Sequence, residues 1–357
     1  MYQTGNKIKV TIFGQSHSEA IGAVVEGLPA GFKPDLEKIY AFMQRRAPGK
    51  DRFSTKRSEA DFPKIVSGLV GGKTCGAPIT AIIKNSDQKS KDYENLRLVP
   101  RPGHADFTAY MKYGGNNDIR GGGQFSGRMT APICFAGAIC MQLLEEKGIY
   151  IGAHIFAVHG IEDEKFSPTD VSKSQLDEIK EKSFCVINDA VGEKMKTEID
   201  TARMNGDSVG GIIECAVTGM PVGVGGPLFG GIESRLSSAV FAIPAVKAIE
   251  FGAGFAASEM YGSENNDIFC IVDDMVKTET NNHGGILGGI SSGMPIIFRT
   301  AIKPTPSISK EQKSVNLKTN NSETLVISGR HDPCIVQRAV PVTEAVTAIT
   351  ILDMLGE

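Results

Sequence analysis

From Ile133 to Lys147 the chain runs through apolar and small residues and turns polar only near its end. Pro132 suits a first helical position and Gly148 a C-terminal stop, so the pattern predicts one helix. A helix that is apolar around most of its circumference has to be covered on several sides. The rest of the sequence must therefore supply layers around it.

Strand patterns are plentiful: Lys7–Phe13, Gly22–Leu28, Ile65–Leu69, Pro78–Lys84, Tyr150–Val158, Gly210–Thr218, Ile268–Val272, Pro295–Ile302 and Thr324–Ile327. Further helices are predicted over Leu36–Arg46 behind an Asp35 N-cap, Ser174–Phe184, Asp189–Asn205, Ser234–Phe251 and Val342–Leu355. Asn85–Asn95 reads as a polar loop. Strands and helices mix without a sustained βαβ rhythm, which favours an α+β fold over a doubly wound sheet. Two strands end in the same punctuation, Gly27-Leu28-Pro29-Ala30-Gly31 and Gly219-Met220-Pro221-Val222-Gly223, and each leads toward a helix. The echo suggests an internal duplication. With no Pro/Ser-rich linker, residues 1–357 read as a single domain.

The 41 glycines are clustered beside apolar segments, as at Gly121–Gly123, Gly223–Gly226 and Gly288-Gly289, which favours tight turns over disorder. A net charge of −3 gives no global attraction to nucleic acid or an anionic membrane, so any polyanion site is local. Seven cysteines without a CxxC pair read as buried thiols in a reducing compartment. The N-terminus MYQTGNKIKV lacks a signal-peptide apolar region, and no apolar run reaches the ~20 residues that cross a bilayer. A soluble cytoplasmic protein is expected.

Polar density is concentrated in a few loops: Gly14–Ser18, Arg101–Asp106, Gly121–Arg128, and Gly329–Cys334 with Lys303–Ser307 upstream. His17 lies between two serines in a glycine-led turn; His104 lies between a Pro-Gly turn and Asp106, an acid able to fix its tautomer; His331 lies between Arg330 and Asp332. His17 and His104 are each expected to be functional, and one of Arg330, His331 and Asp332 to face a ligand. His154 and His159 read as packed or solvent-facing, and His283 as a turn residue. Arg45, Arg46, Lys50, Arg52, Lys56 and Arg57 put six cations into thirteen residues, more than a helix C-terminus requires, which points to an anion-binding loop. The stretch Pro100–Ala131, glycine-rich before the apolar helix, suits a backbone wrapped around an anion. Neither Ser16 nor Ser126 stands in GxSxG, GxxxxGK[ST] is missing, no GxGxxG follows the first strand, and no histidine or cysteine pair has metal-site spacing, so no metal is expected. What remains is acid–base groups set in glycine and arginine, a combination suited to a small, highly anionic ligand.

Taken together, these loops resemble the chorismate synthase family. Its G-E-S-H-G pattern is similar to Gly14-Gln15-Ser16-His17-Ser18, and R-R-x-P-G to Arg45–Gly49. R-P-G-H-A-D stands at Arg101–Asp106, K-Y-G at Lys112–Gly114, R-G-G-G at Arg120–Gly123, and G-R-H-D-P-C at Gly329–Cys334. N-H-x-G-G-I-x-G-G-I-S-S-G is matched one residue shorter at Asn282–Gly293, and K-P-T-x-S at Lys303–Ser307. The resemblance spans Gly14 to Val340.

The resemblance implies a β-α-β sandwich with a helical core between antiparallel sheets, assembled as a homotetramer. It implies a lyase that removes phosphate and a ring proton from 5-enolpyruvylshikimate 3-phosphate by 1,4-anti elimination, giving chorismate. Reduced FMN is required without net redox change, with NADPH as a candidate reductant of the flavin. In family terms His17, His104 and Asp332 are catalytic: an acid for the departing phosphate, a partner of the flavin N1 region, and an acid near flavin N5. An adjacent dianion favours the imidazolium that His17 would need. Ser16, Arg46, Arg52, Arg57, Arg101, Arg128 and Arg330 would bind substrate. Gln124, Phe125, Ser126, Ala245, Gly288, Lys303, Pro304, Thr305, Pro306, Ser307 and Arg330 would bind the cofactor. The chain departs from the pattern at Gln15 and Ser18, at Gln124-Phe125 where many members carry Arg-Ser, and at Pro244 and Pro306. Two other classes fit the same loops: a flavin oxidoreductase with net electron transfer, and a non-catalytic sensor of a phosphorylated ligand.

Overall fold

The apolar helix occupies the middle layer of the molecule. The computed structural model describes residues 2–49, 60–86, 96–327 and 332–356. Strands β1 (Gln3–Thr4), β2 (Lys9–Phe13) and β3 (Ala20–Glu26) lead into helix α1 (Leu36–Arg46), then β4 (Pro63–Ser67) and β5 (Ile79–Lys84). Helix α2 (Asp106–Tyr113) and a short turn-rich helix at Arg120–Phe125 precede the long α3 (Thr130–Glu145). There follow β6 (Tyr150–Val158), β7 (Ile161–Glu162), α4 (Lys173–Glu181), α5 (Asp189–Met204), β8 (Gly211–Thr218), α6 (Ile232–Val240), β9 (Val246–Phe251), β10 (Ile296–Ile302) and α7 (Val336–Leu355).

Two five-stranded sheets, ordered β1-β2-β3-β5-β4 and β9-β10-β8-β6-β7, enclose the long helices. Every neighbouring pair within them is antiparallel. Helix α3 packs along α7, with α3 on the first sheet and α7 on the second. This is the sandwich with a helical core that the family resemblance implies. Phe135, Ile139 and Leu144 are fully buried, each such side chain contributing about 1.5–3 kcal/mol. One ion pair lies inside the layer: Glu344 on α7 is fully buried, pairs with both terminal nitrogens of Arg45 and accepts the Ala153 amide at 3.0 Å. It ties α1, α7 and β6 together, and it turns Arg45 into the core.

The echo in the sequence is an echo in topology. β2-β3-α1-β4-β5-α3 repeats as β6-β8-α6-β9-β10-α7, and the sheet orders match, β2-β3-β5-β4 against β6-β8-β10-β9. The GxPxG turns correspond in backbone as well. Gly27 and Gly219 have φ 87° and 78°, and a Cβ on either would strike the carbonyl of Lys7 or Gly148, 1.8 and 2.1 Å away. Each turn folds against the start of the neighbouring strand, which only glycine permits.

Three expectations need correction. The helix expected over Ser234–Phe251 stops at Val240, and the chain then re-enters the sheet as β9. Ala245 at φ 76° breaks the helix, and the pairing of β9 with β10 outweighs the helical pattern. The closing helix begins at Val336 rather than Val342 and runs through Pro341, because burial on both sides outweighs the lost hydrogen bond. Finally, Gly127–Glu145 is, at 19 residues, long and apolar enough to cross a membrane on length and composition, yet 89% of its apolar window is buried here inside the protein.

His154 is packed: it lies fully buried on β6, Nε2 3.1 Å from Glu214 Oε2 and Nδ1 3.3 Å from Asp163 Oδ2. Burial lowers its pKa, and the two carboxylates reverse this and hold it above its ordinary 6.5. The cluster therefore stabilises the fold fully below that ordinary value, and the contribution is lost as pH rises through the raised one. Denaturation midpoints are expected to fall across that upper range in the wild type and to stay flatter in His154→Gln. Parallel profiles would reject the assignment.

Candidate active site

A cavity of about 700 Å³ opens between the two repeats. From the first repeat it takes Arg46, Arg101, His104, Gln124, Phe125, Ser126 and Arg128; from the second, Ala245, Lys303, Thr305, Pro306, Ser307 and Asp332. The anticipated residues thus meet although they lie far apart in sequence. Ser16 and His17 stand behind the wall, both buried. Pro304 is exposed beside Gly210, and Gly288 lies in an exposed hairpin turn between Ile286–Leu287 and Ile290–Ser291, away from the lining. Arg52, Arg57, Arg330 and His331 fall outside the described residues.

The triple glycine is the partition between the two histidines. Gly121, Gly122 and Gly123 have φ 59°, 81° and 54°. A Cβ on Gly121 would lie 2.4 Å from His17 Cε1 and 2.6 Å from Ser16 Oγ; on Gly122, 3.1 Å from His104 Nε2. The Ser16 amide donates to the Gly123 carbonyl at 3.1 Å, docking the His17 turn onto this segment. No other residue type combines the left-handed backbone with that clearance. Ser18 Oγ accepts the Gln15 amide at 3.0 Å and closes the turn, while Gln15 reaches Asp118, which pairs with Arg120.

His104 Nδ1 lies 2.6 Å from Asp106 Oδ1, a contact that assigns the ring proton to Nδ1 and leaves Nε2 as an acceptor. Asp106 also takes Arg101 Nε and Nη2 at 2.7 and 2.8 Å. Burial pushes the Asp106 carboxyl up, but the bonds from Arg101 and His104 hold it well below the usual carboxylate range. Arg101 reaches Ser307 Oγ at 3.1 Å, crossing to the second repeat.

The sequence-based reading missed the acids that organise the arginines. Asp61, buried at φ 49°, accepts Arg46 Nη1 at 2.9 Å on one oxygen and Arg128 Nη1 on the other. Burial raises its carboxyl pKa and the two guanidiniums more than reverse this, so it sits below its ordinary 3.8. Asn85 links Arg128 Nε, at 2.9 Å, to the carbonyl of Ser18 beside His17. Arg338, a lone cation in the first turns of α7, lines the cavity, holds Asp332 at 2.6 Å and donates to the Arg46 carbonyl at 3.1 Å. Its place as the one cation of the largely apolar run Val336–Leu355 was the signal for Arg338. The acid four residues beyond Arg57 was the signal for Asp61.

His283 contacts Asp267 through Nδ1 and Ser292 Oγ through Nε2 at 3.1 Å. The order is that of a hydrolase triad, but none of the three lines the cavity. They clasp the turn after the exposed hairpin Phe269–Thr278.

The sequence model of the chorismate synthase family matches residues 8–355. A protein of Lancefieldella parvula named chorismate synthase is 46% identical, across 98% of this chain and 95% of its own. One of Thermococcus gammatolerans with the same name is 46% identical, across 98% and 96%. A crystal structure of chorismate synthase aligns with a TM-score of 0.78 at 28% identity, covering 99% of this chain and 92% of that one.

Proposed function

The chain belongs to the chorismate synthase family and is a lyase of the shikimate pathway, and on that premise we propose that its cavity takes 5-enolpyruvylshikimate 3-phosphate against reduced FMN. The observation that carries this is the partition: two histidines back onto opposite sides of one glycine strip, beside arginines fixed by buried acids.

The residues fit the cofactor. Thr305 Oγ1 is buried without a hydrogen-bond partner among the described residues, and Phe125 and Lys303 stand on the lining. An aromatic surface, a cation and an unused hydroxyl suit a flavin and its phosphate. Gln124, Ser126, Ala245 and the Lys303–Ser307 segment would hold it, with Gly288 and Arg330 as further family contacts. When bound, the reduced flavin would supply electron density to the allylic system of the substrate.

The rest is the work of side chains. Arg46, Arg101 and Arg128, joined by Arg52, Arg57 and Arg330, would bind the carboxylates and phosphate of the substrate, with Ser16 donating a hydroxyl. His17, packed at Gly121 on the edge of the cavity, would protonate the departing phosphate once that group lies within hydrogen-bond reach of the imidazole. His104, oriented by Asp106, would stand beside the flavin ring, and Asp332, held by Arg338, near the atom that takes the ring proton.

The homotetramer reading is supported by large exposed apolar side chains such as Leu228, Phe229, Phe255 and Tyr261. We also read residues 1–357 as one domain, since one core cluster draws on both repeats, in a cytoplasmic enzyme whose flavin NADPH can reduce. An anaerobic assay of the purified protein with this substrate and photoreduced FMN, with and without NADPH, tests the function. Chorismate and phosphate should appear with catalytic flavin alone. NADPH consumed in step with product would replace this reading by a net oxidoreductase, and ligand binding without turnover by a sensor.

A further inference from the structure

The cations lining the cavity fall into two groups. Arg46, Arg101, Arg128 and Arg338 each pair with a carboxylate. Lys247 and Lys303 also line the cavity, and neither pairs with a carboxylate among the described residues. Lys303 Nζ donates to the Gly103 carbonyl at 2.8 Å. Its pKa is lowered, by burial first and then by the charge of Lys247, so the two ammoniums feel one another. Like charges brought together on a cavity wall, with no carboxylate paired to them among the described residues, favour an anion from outside.

The backbone is shaped to bring Lys247 there. The register of β9 on β10 passes from Val246 opposite Ile302 to Ala248 opposite Ala301, which makes Lys247 the extra residue of a β-bulge. Bulges re-aim a side chain and concentrate beside active sites. Ala245, two residues earlier, sits at φ 76° without being glycine, and non-glycine residues in that region cluster at ligand sites. Close by, Thr305 Oγ1 is buried on the cavity without a partner among the described residues.

We propose that Lys247, with Lys303 and the Thr305 hydroxyl, forms the anion site that holds the phosphate end of the flavin. The inference rests on the flavin reading of the cavity. Two ammoniums and a hydroxyl match a phosphate monoester carrying about −1.5 to −2 charge. Lys247 lies outside every motif through which the sequence resembles its family, and it belongs to a strand that the sequence pattern presents as helix.

The substrate also carries a phosphate, so the test has to separate the two. Binding of oxidised FMN and of riboflavin, which lacks the phosphate, is measured by flavin fluorescence with substrate present, for the wild type, Lys247→Met and Lys247→Arg. Lys247→Met should bind FMN about 10- to 100-fold more weakly and riboflavin unchanged, with a shallower salt dependence for FMN; Lys247→Arg should recover most of the loss. Unchanged FMN affinity in Lys247→Met overturns the assignment, and so does equal weakening of FMN and riboflavin, which would mark a packing role. Weaker binding of the substrate alone would move Lys247 to the substrate phosphate and also overturn it. A wild-type protein that binds neither flavin would bring down the flavin reading itself.

Discussion

Replacing His17 with alanine is expected to leave substrate binding nearly intact and to lower turnover about 10²- to 10⁴-fold, the range of one general acid. His17 is almost fully buried, its imidazole edge against Gly121. Removing it takes away a proton donor rather than an anion ligand, so kcat should fall and KM should hold. The wild-type rate should also fall at high pH, where the imidazole is neutral, and this limb should vanish in the variant. Gly121→Ala should reproduce the loss from the other side of the wall, since its Cβ would lie 2.4 Å from the imidazole. A His17→Ala enzyme with an undiminished rate would remove the acid role.

The second large effect concerns a residue that touches no ligand in this proposal. Asp61→Asn should destabilise the protein by about 3–5 kcal/mol, because it leaves Arg46 and Arg128 buried against each other without their shared carboxylate. The two guanidiniums should then separate, and KM for substrate should rise more than kcat falls. Since the folded-state pKa of Asp61 is depressed, its contribution is present above the ordinary 3.8 and disappears as pH falls through the lowered value. The wild type should therefore lose more stability than the variant on acidification into that range. Denaturant midpoints and substrate KM measured together decide the matter. A variant matching the wild type in both would show that Asp61 does not organise the arginines.

Much of this was legible from residues alone. The all-round apolar helix required layers on both sides, and the GxPxG echo marked a duplication that the sheet orders repeat strand for strand. The loops around His17, His104 and Gly121 carried enough polar density to be recognised, and the fold brings them together. What stayed hidden depends on pairing across distance. Asp61 and Arg128 are 67 positions apart, and no local pattern says that one carboxylate serves two arginines. Lys247 was hidden for another reason: the apolar pattern runs on past the stop that Pro244 offered, and the bulge that places Lys247 at the cavity is set by β10, about fifty residues later. The triple glycine was noticed for its composition alone. That composition suggests a backbone folded round an anion, and the fold adds a second requirement, clearance for the two imidazoles packed against Gly121 and Gly122.

The duplicated topology bears on ancestry. A single copy of the repeat has one sheet and one long helix, and that helix keeps a bare apolar face unless a second copy covers it. An ancestor of this length would have been an obligate pair of identical chains, each contributing the same side chains to the seam. Such a pair cannot place histidines on one bank of the seam and lysines on the other. Fusion into one chain would remove that restriction and let the two halves diverge around a common cleft: one carries the imidazoles and the glycines packed against them, the other the bulged strand and two lysines that pair with no carboxylate among the described residues.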